Sequence, residues 1–90
     1  MQIPVWARED AQSRLTFFCG FAALQCGPNG LVDLARVSGV NRQTIYNSIR
    51  RGAFSVESAT SISNAVNSCI PFHWLVAPMS AEVSTGEAVK

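Results

Sequence analysis

Apolar positions recur with a helical period through most of the chain. Leu15, Phe18, Cys19, Ala22 and Cys26 follow the three- and four-residue spacing of one helix face. Asp10 stands ahead of them in a capping position and Gly27-Pro28 behind them, which predicts a helix from Asp10 to about Gln25. Phe17, Phe21 and Leu24 form a second stripe beside the first. Gly20, in the helix interior, costs about 1 kcal/mol relative to Ala. An apolar surface this wide is covered either on both sides within the monomer or in part by another subunit. Burial within the monomer is the expected case.

After the Gly-Pro-Asn-Gly break, Leu31, Leu34 and Ala35 mark the inner face of a short helix ending near Ser38. Gly39 suits a left-handed turn, and Val40 follows as an apolar anchor. Asn41 is a good cap for the next helix, Arg42 to Arg51, which Gly52 closes. There Ile45, Ser48 and Ile49 face inward, while Arg42, Gln43, Tyr46, Asn47 and Arg50 share the opposite face. Ser55 caps a fourth helix with Val56, Ala59, Ile62 and Val66 as its core face and a Ser/Thr/Asn-rich solvated side. Pro71 at a helix N1 position opens a last short turn, in which Phe72, Trp74 and Leu75 close the bottom of the core.

The ends lack this period. Residues 1–9 carry Pro4 and read as an extended N-terminal segment, with Ile3, Val5 and Trp6 packed onto the domain. A minor-groove arm is the sharper alternative, but such arms are basic and only Arg8 is available. From Pro78 on, residues 78–90 read as a flexible tail. The expectation is therefore a compact all-α domain of four to five helices over residues 10–77.

Composition narrows this further. At 90 residues and 9.7 kDa the chain holds one domain. With 48% apolar and 14% charged residues it is expected to fold. Cys19, Cys26 and Cys69 are an odd set that fits reduced, mostly buried thiols better than disulfides. Cys19 and Cys26 lie too far apart for a structural zinc pair, and His73 is the one histidine, expected on the surface or as a cap. A Cys69/His73 dyad lacks an orienting partner. Asp33 and Glu57 fit helix-surface roles. No paired carboxylates and no phosphate loop stand in the chain, so neither enzyme activity, metal nor cofactor is expected. The apolar run Leu15 to Leu24 is half of a bilayer span, and the acids ahead of it argue against a secretory signal, so a cytoplasmic protein off the membrane is expected.

The function-bearing pattern is helix, glycine turn, helix. Small Ala35 allows close approach, Gly39 turns the chain four residues later, and Ile45 and Ile49 anchor the second helix. Charge agrees with that layout. Seven Lys+Arg against six Asp+Glu give a near-neutral total, yet between Leu34 and Val56 stand four arginines and no acid. These four, Arg36, Arg42, Arg50 and Arg51, form a local basic patch suited to phosphates. Arg, Gln and Asn on the outward face also suit base edges, Arg pairing with guanine and Gln or Asn with adenine.

The segment LVDLARVSGVNRQTIYNSIRRG resembles the helix-turn-helix of the Cro and lambda-repressor superfamily, with Ala35, Gly39, Val40, Ile45, Ile49 and Gly52 in register. Residues 14 to 78 as a whole are similar to short Cro-like prophage regulators of the YdaS type. The resemblance implies a lambda-repressor-like domain acting as a homodimer on a pseudo-palindromic double-stranded DNA operator. It places base reading on Arg42, Gln43 and Asn47, with Tyr46 nearby, and Asn41 and Thr44 at the phosphate edge. Leu31 departs from the pattern, since many members begin this helix with a phosphate-contacting Gln. Some relatives are antitoxins beside a toxin, so a toxin or another phage regulator is a further possible partner. The sequence thus reads as a prophage-type transcriptional repressor. The alternative is an antitoxin-like or adaptor interaction module, for which Leu31 and the Phe17/Phe21/Leu24 stripe would matter.

Overall fold

The computed structural model describes residues 3–80, which form five α-helices joined by short turns. They are α1 (Ala11–Cys26), α2 (Leu31–Ser38), α3 (Arg42–Arg51), α4 (Val56–Ala65) and α5 (Phe72–Val76). Among the described residues there is no strand, so the domain is all-α as the periodicity predicts. Local chemistry sets the boundaries. The Asp10 carboxylate accepts the Ser13 N–H at 2.7 Å and opens α1. Ser55 Oγ accepts the Ser58 N–H at 3.2 Å and opens α4.

Phe18, Leu15, Leu34, Ile45, Ile62 and Leu75 meet at the centre with almost no exposure. Each such side chain contributes about 1.5–3 kcal/mol by leaving water. Phe18 stacks on Trp74, ring centres 5.7 Å apart, and ties α1 to α5. The Phe54 N–H donates to the Leu75 carbonyl at 3.0 Å, which fastens the α3–α4 loop to α5.

Arg14 is buried in α1, where the apolar period gave no reason to look for it. Its guanidinium donates to the carbonyls of Ala7 (3.1 Å), Arg8 (3.2 Å) and Pro78 (3.1 Å). One side chain therefore clamps the segments before α1 and after α5 onto the same helix.

Several expectations are corrected. The N-terminal segment is not wholly extended, since Val5–Ala7 form a 3-10 turn that buries Ile3 and Ala7 and leaves Val5 and Trp6 exposed. Pro4 fixes the turn's entry, and the Ala7 N–H donates back to its carbonyl at 3.0 Å. The tail does not begin at Pro78, because Pro78–Ser80 form a 3-10 turn with Pro78 buried under the Arg14 clamp. The rest of the expected tail lies outside the described residues. Val56 and Phe72 stand exposed, each at the first position of its helix, where the core has not yet begun. Cys69 is exposed, Cys26 half-buried and Cys19 buried, all as free thiols. Asp33, expected on the surface, is buried. The outer stripe of α1 is only partly covered: Phe17 and Phe21 are half-buried against the core edge and Leu24 is exposed. Among the described residues no single helix is long and apolar enough to cross a membrane.

Candidate nucleic-acid interface

The geometry of α2 and α3 follows from three residues. Gly39 takes a left-handed conformation (φ 77°), and its N–H donates to the Ala35 carbonyl at 2.9 Å, which stops α2 after two turns. Asn41 Oδ1 accepts the Gln43 N–H at 2.7 Å and starts α3. Gly52 (φ 88°) ends α3 in a Schellman pattern: its N–H reaches the Ile49 carbonyl at 3.1 Å, and the Ala53 N–H reaches that of Ser48 at 3.1 Å. Helix, tight turn and helix are thus all present.

α3 is anchored through Ile45 and Ser48, both buried, with Ile49 half-buried beside them. The opposite face is open. Arg42, Gln43, Tyr46, Asn47 and Arg50 are exposed there, Tyr46 at 46% despite its size. Gln43 Nε2 donates to Asn47 Oδ1 at 3.3 Å, so these two amides lie one helical turn apart on one line. Asn41 and Thr44 are exposed at the N-terminal edge, and Arg51 at the far end donates to the Ala53 carbonyl at 3.2 Å. All nine candidates, Arg36 included, face solvent.

Two clefts frame the start of α3. One, of about 360 Å³, lies between α2 and α3 and is lined by Val32, Ala35, Asn41, Arg42 and Gln43. Half-buried Ala35 forms its floor, consistent with a small residue at the helix crossing. The other, of about 290 Å³, puts Thr44 beside Glu57 and Ser58 of α4. Glu57 brings a negative charge to that edge, a feature only the fold makes visible.

The basic patch is also less uniform than the chain order implies. Arg36 pairs with Asp33 at 3.1 Å, so part of its charge is answered within α2. Asp33 Oδ2 also accepts the Asn29 N–H at 2.7 Å, reaching back over the helix start. A side chain at Gly27 would run into that carboxylate, which explains the glycine. The Asn29 N–H first, and the Arg36 guanidinium second, hold the Asp33 carboxyl below its ordinary range. The signal for this was present in the sequence, an acid three residues before an arginine, but the same spacing suits an exposed helix pair.

The surface that results is a helix face with amide, guanidinium and phenol groups outward and no acid of its own. It can donate to and accept from planar edges and can meet anions. Among the described residues no group of three or more His, Cys, Asp or Glu could hold a metal ion. No protein-family model, curated protein or solved structure matches the chain.

Proposed function

We propose that the chain is a sequence-specific DNA-binding transcriptional regulator of phage or prophage type, a repressor that binds a pseudo-palindromic operator as a dimer. The observation that carries this reading is α3 itself. It is held from below by Ile45, Ser48 and Ile49 and offers Arg42, Gln43, Tyr46 and Asn47 on its open side. A helix set out from the body after a tight turn is the shape that enters a major groove. Its side chains match base-edge chemistry, and Arg50 and Arg51 at the far end suit phosphates. Such a protein works in the cytoplasm, where its operator lies, and represses by occupying a promoter.

Selection from a randomised duplex library, followed by anisotropy titration on the selected duplex, tests the reading. The expected result is an inverted-repeat motif with half-sites one helical turn apart, bound at least 1,000-fold more tightly than random duplex in moderate salt. Recovery of no motif, with equal binding to all duplexes, would overturn it.

A further inference from the structure

Helix α1 is apolar around nearly its whole circumference, and a helix of that kind is ordinarily buried on all sides. The monomer covers only the half that carries Leu15, Cys19 and Ala22. On the other half Phe17, Phe21 and Leu24 surround Gly20, and Trp6 closes one end through an edge contact with Phe17 at 6.1 Å. Together they outline an apolar groove of about 310 Å³ with no charged side chain in its walls. Leu24 is 76% exposed and Trp6 53%. A Cβ built on Gly20 would meet nothing within 4 Å, so the monomer has no steric need for the glycine.

We propose that this groove is where a second copy of the chain docks, α1 against α1 about a two-fold axis passing beside Gly20. The stripe is complementary to itself in one antiparallel register. Phe17 lies over the partner's Leu24, and Phe21 enters the notch over the partner's Gly20, with the reciprocal pair made at the same time. The area fits a modest dimer. Fully buried, the exposed parts of the stripe with Val5 and Trp6 would supply about 400–500 Å² from each copy. The total of about 800–1,000 Å² just reaches the lower bound of about 1,000 Å² for specific association, which makes the pair a weak one. The groove walls hold no charge that would oppose like-with-like pairing, and Arg8 borders them only on the Val5 side of Phe17.

The recognition surface stays clear of this contact. Gly52 at the end of α3 lies against Ala11 and Gln12, and Gln12 Nε2 donates to the Arg50 carbonyl at 3.5 Å. Helix α3 is therefore attached near the first turn of α1, on a different side from the stripe, and remains open in both copies. The inference deepens the operator-binding reading and rests on it for what the dimer is for. Self-association itself is measured without DNA.

Light scattering and sedimentation of the full chain from about 1 to 500 µM, with reductant and no DNA, should show a monomer–dimer equilibrium in the tens of micromolar. Trp6 emission should shift to the red on dilution. Gly20→Lys fits the monomer and favours helix over glycine, so it should melt no lower than the parent while dimerising at least tenfold more weakly. Leu24→Lys should do the same from an exposed position. A chain that stays monomeric to 500 µM, or variants that dimerise like the parent, would overturn the proposal. So would a monomer that floats with phosphatidylcholine vesicles through the stripe. A dimer that binds no duplex overturns the operator reading and keeps the interface. A monomer that selects an operator does the reverse.

Discussion

Gln43 and Arg51 stand at opposite ends of α3 and, on the operator-binding proposal, would reach different parts of a duplex. Gln43 is exposed in the first turn and shares a hydrogen bond with Asn47, which restrains the amide that the proposal assigns to a base edge. Arg51 sits beside Gly52 and donates to the Ala53 carbonyl at 3.2 Å, an end of the helix from which, on the operator-binding proposal, it would meet backbone phosphates. Gln43→Ala is expected to lose about 1–3 kcal/mol of discrimination at one base pair and leave random-duplex binding nearly unchanged. Arg51→Ala should weaken both alike and, with two copies on the operator, make the salt slope shallower by about two. Anisotropy titrations over single-base operator variants check both, with thermal melts matching the parent. Asp33 makes a different prediction at the same scale. Its folded carboxyl titrates below the unfolded one, because the Asn29 N–H and Arg36 favour the charged form. The unfolded chain therefore binds the proton more readily, and stability rises with pH across that range. Asp33's contribution is complete above the ordinary carboxylate value of about 4 and is lost as pH falls through the lower folded value. Melting temperatures between pH 2.5 and 6 should show a shallower acid limb for Asp33→Asn than for the parent. Asp33 was hard to read from sequence because a buried acid that serves its own helix start looks like an ordinary surface one. Arg14 was harder still, since its partners are carbonyls of segments with no period.

At the scale of elements, the two glycines that end α2 and α3 differ in what they tolerate. At Gly39 nothing stands within 4 Å of a built Cβ, so the left-handed backbone alone opposes a side chain there. Gly39→Ala should cost about 1–2 kcal/mol. Gly52 shares the conformation and also lies 3.3 Å, by its built Cβ, from the Ala11 Cβ. Gly52→Ala should cost more than Gly39→Ala, because α3 must also back away from α1. Urea midpoints of the two variants give the order, and equal losses would show that the α1–α3 contact yields freely. These glycines, with the Asp10, Asn41 and Ser55 caps, made the helix boundaries legible, since each acts on its immediate neighbours in sequence. The faces were legible where burial was one-sided, as on α3. They were less so at helix starts such as Val56 and Phe72, and on α1, where apolar residues all round carry no record of which side the monomer covers. Of the nine candidate residues, Arg42, Gln43, Tyr46, Asn47 and Arg50 stand out by the same one-sidedness, and Arg36 and Arg51 by the run of arginines without acids. Asn41 and Thr44 enter as phosphate contacts only through the resemblance, whereas Glu57 beside Thr44 belongs to another helix and needed the fold.

For the molecule as a whole, charge and apolar surface are divided between different sides. Arg8 donates to the Ile3 carbonyl at 2.7 Å, Arg14 is buried in the clamp, and Arg36 answers Asp33. That leaves Arg42, Arg50 and Arg51, all exposed on α3, as the arginines that the operator-binding proposal would set against DNA. The body measures 39 × 24 × 20 Å, so two copies packed along a shorter axis can have centres as close as 20–24 Å, which leaves room for recognition helices roughly 34 Å, one duplex turn, apart. A dimer then brings three arginines from each copy, and complete engagement sets a log–log salt slope of at most about −5. Counting Arg36 as well would raise the limit to about −7, so the slope reports whether the Asp33 pair survives on DNA. Anisotropy titrations on the selected operator between 50 and 300 mM salt measure it. A slope near −5 that is unchanged in Arg36→Gln would show that Asp33 keeps that arginine. A slope near −7 that falls by about two in Arg36→Gln would show that DNA draws it away. Tight binding with a flat slope would remove the electrostatic part of the DNA reading altogether.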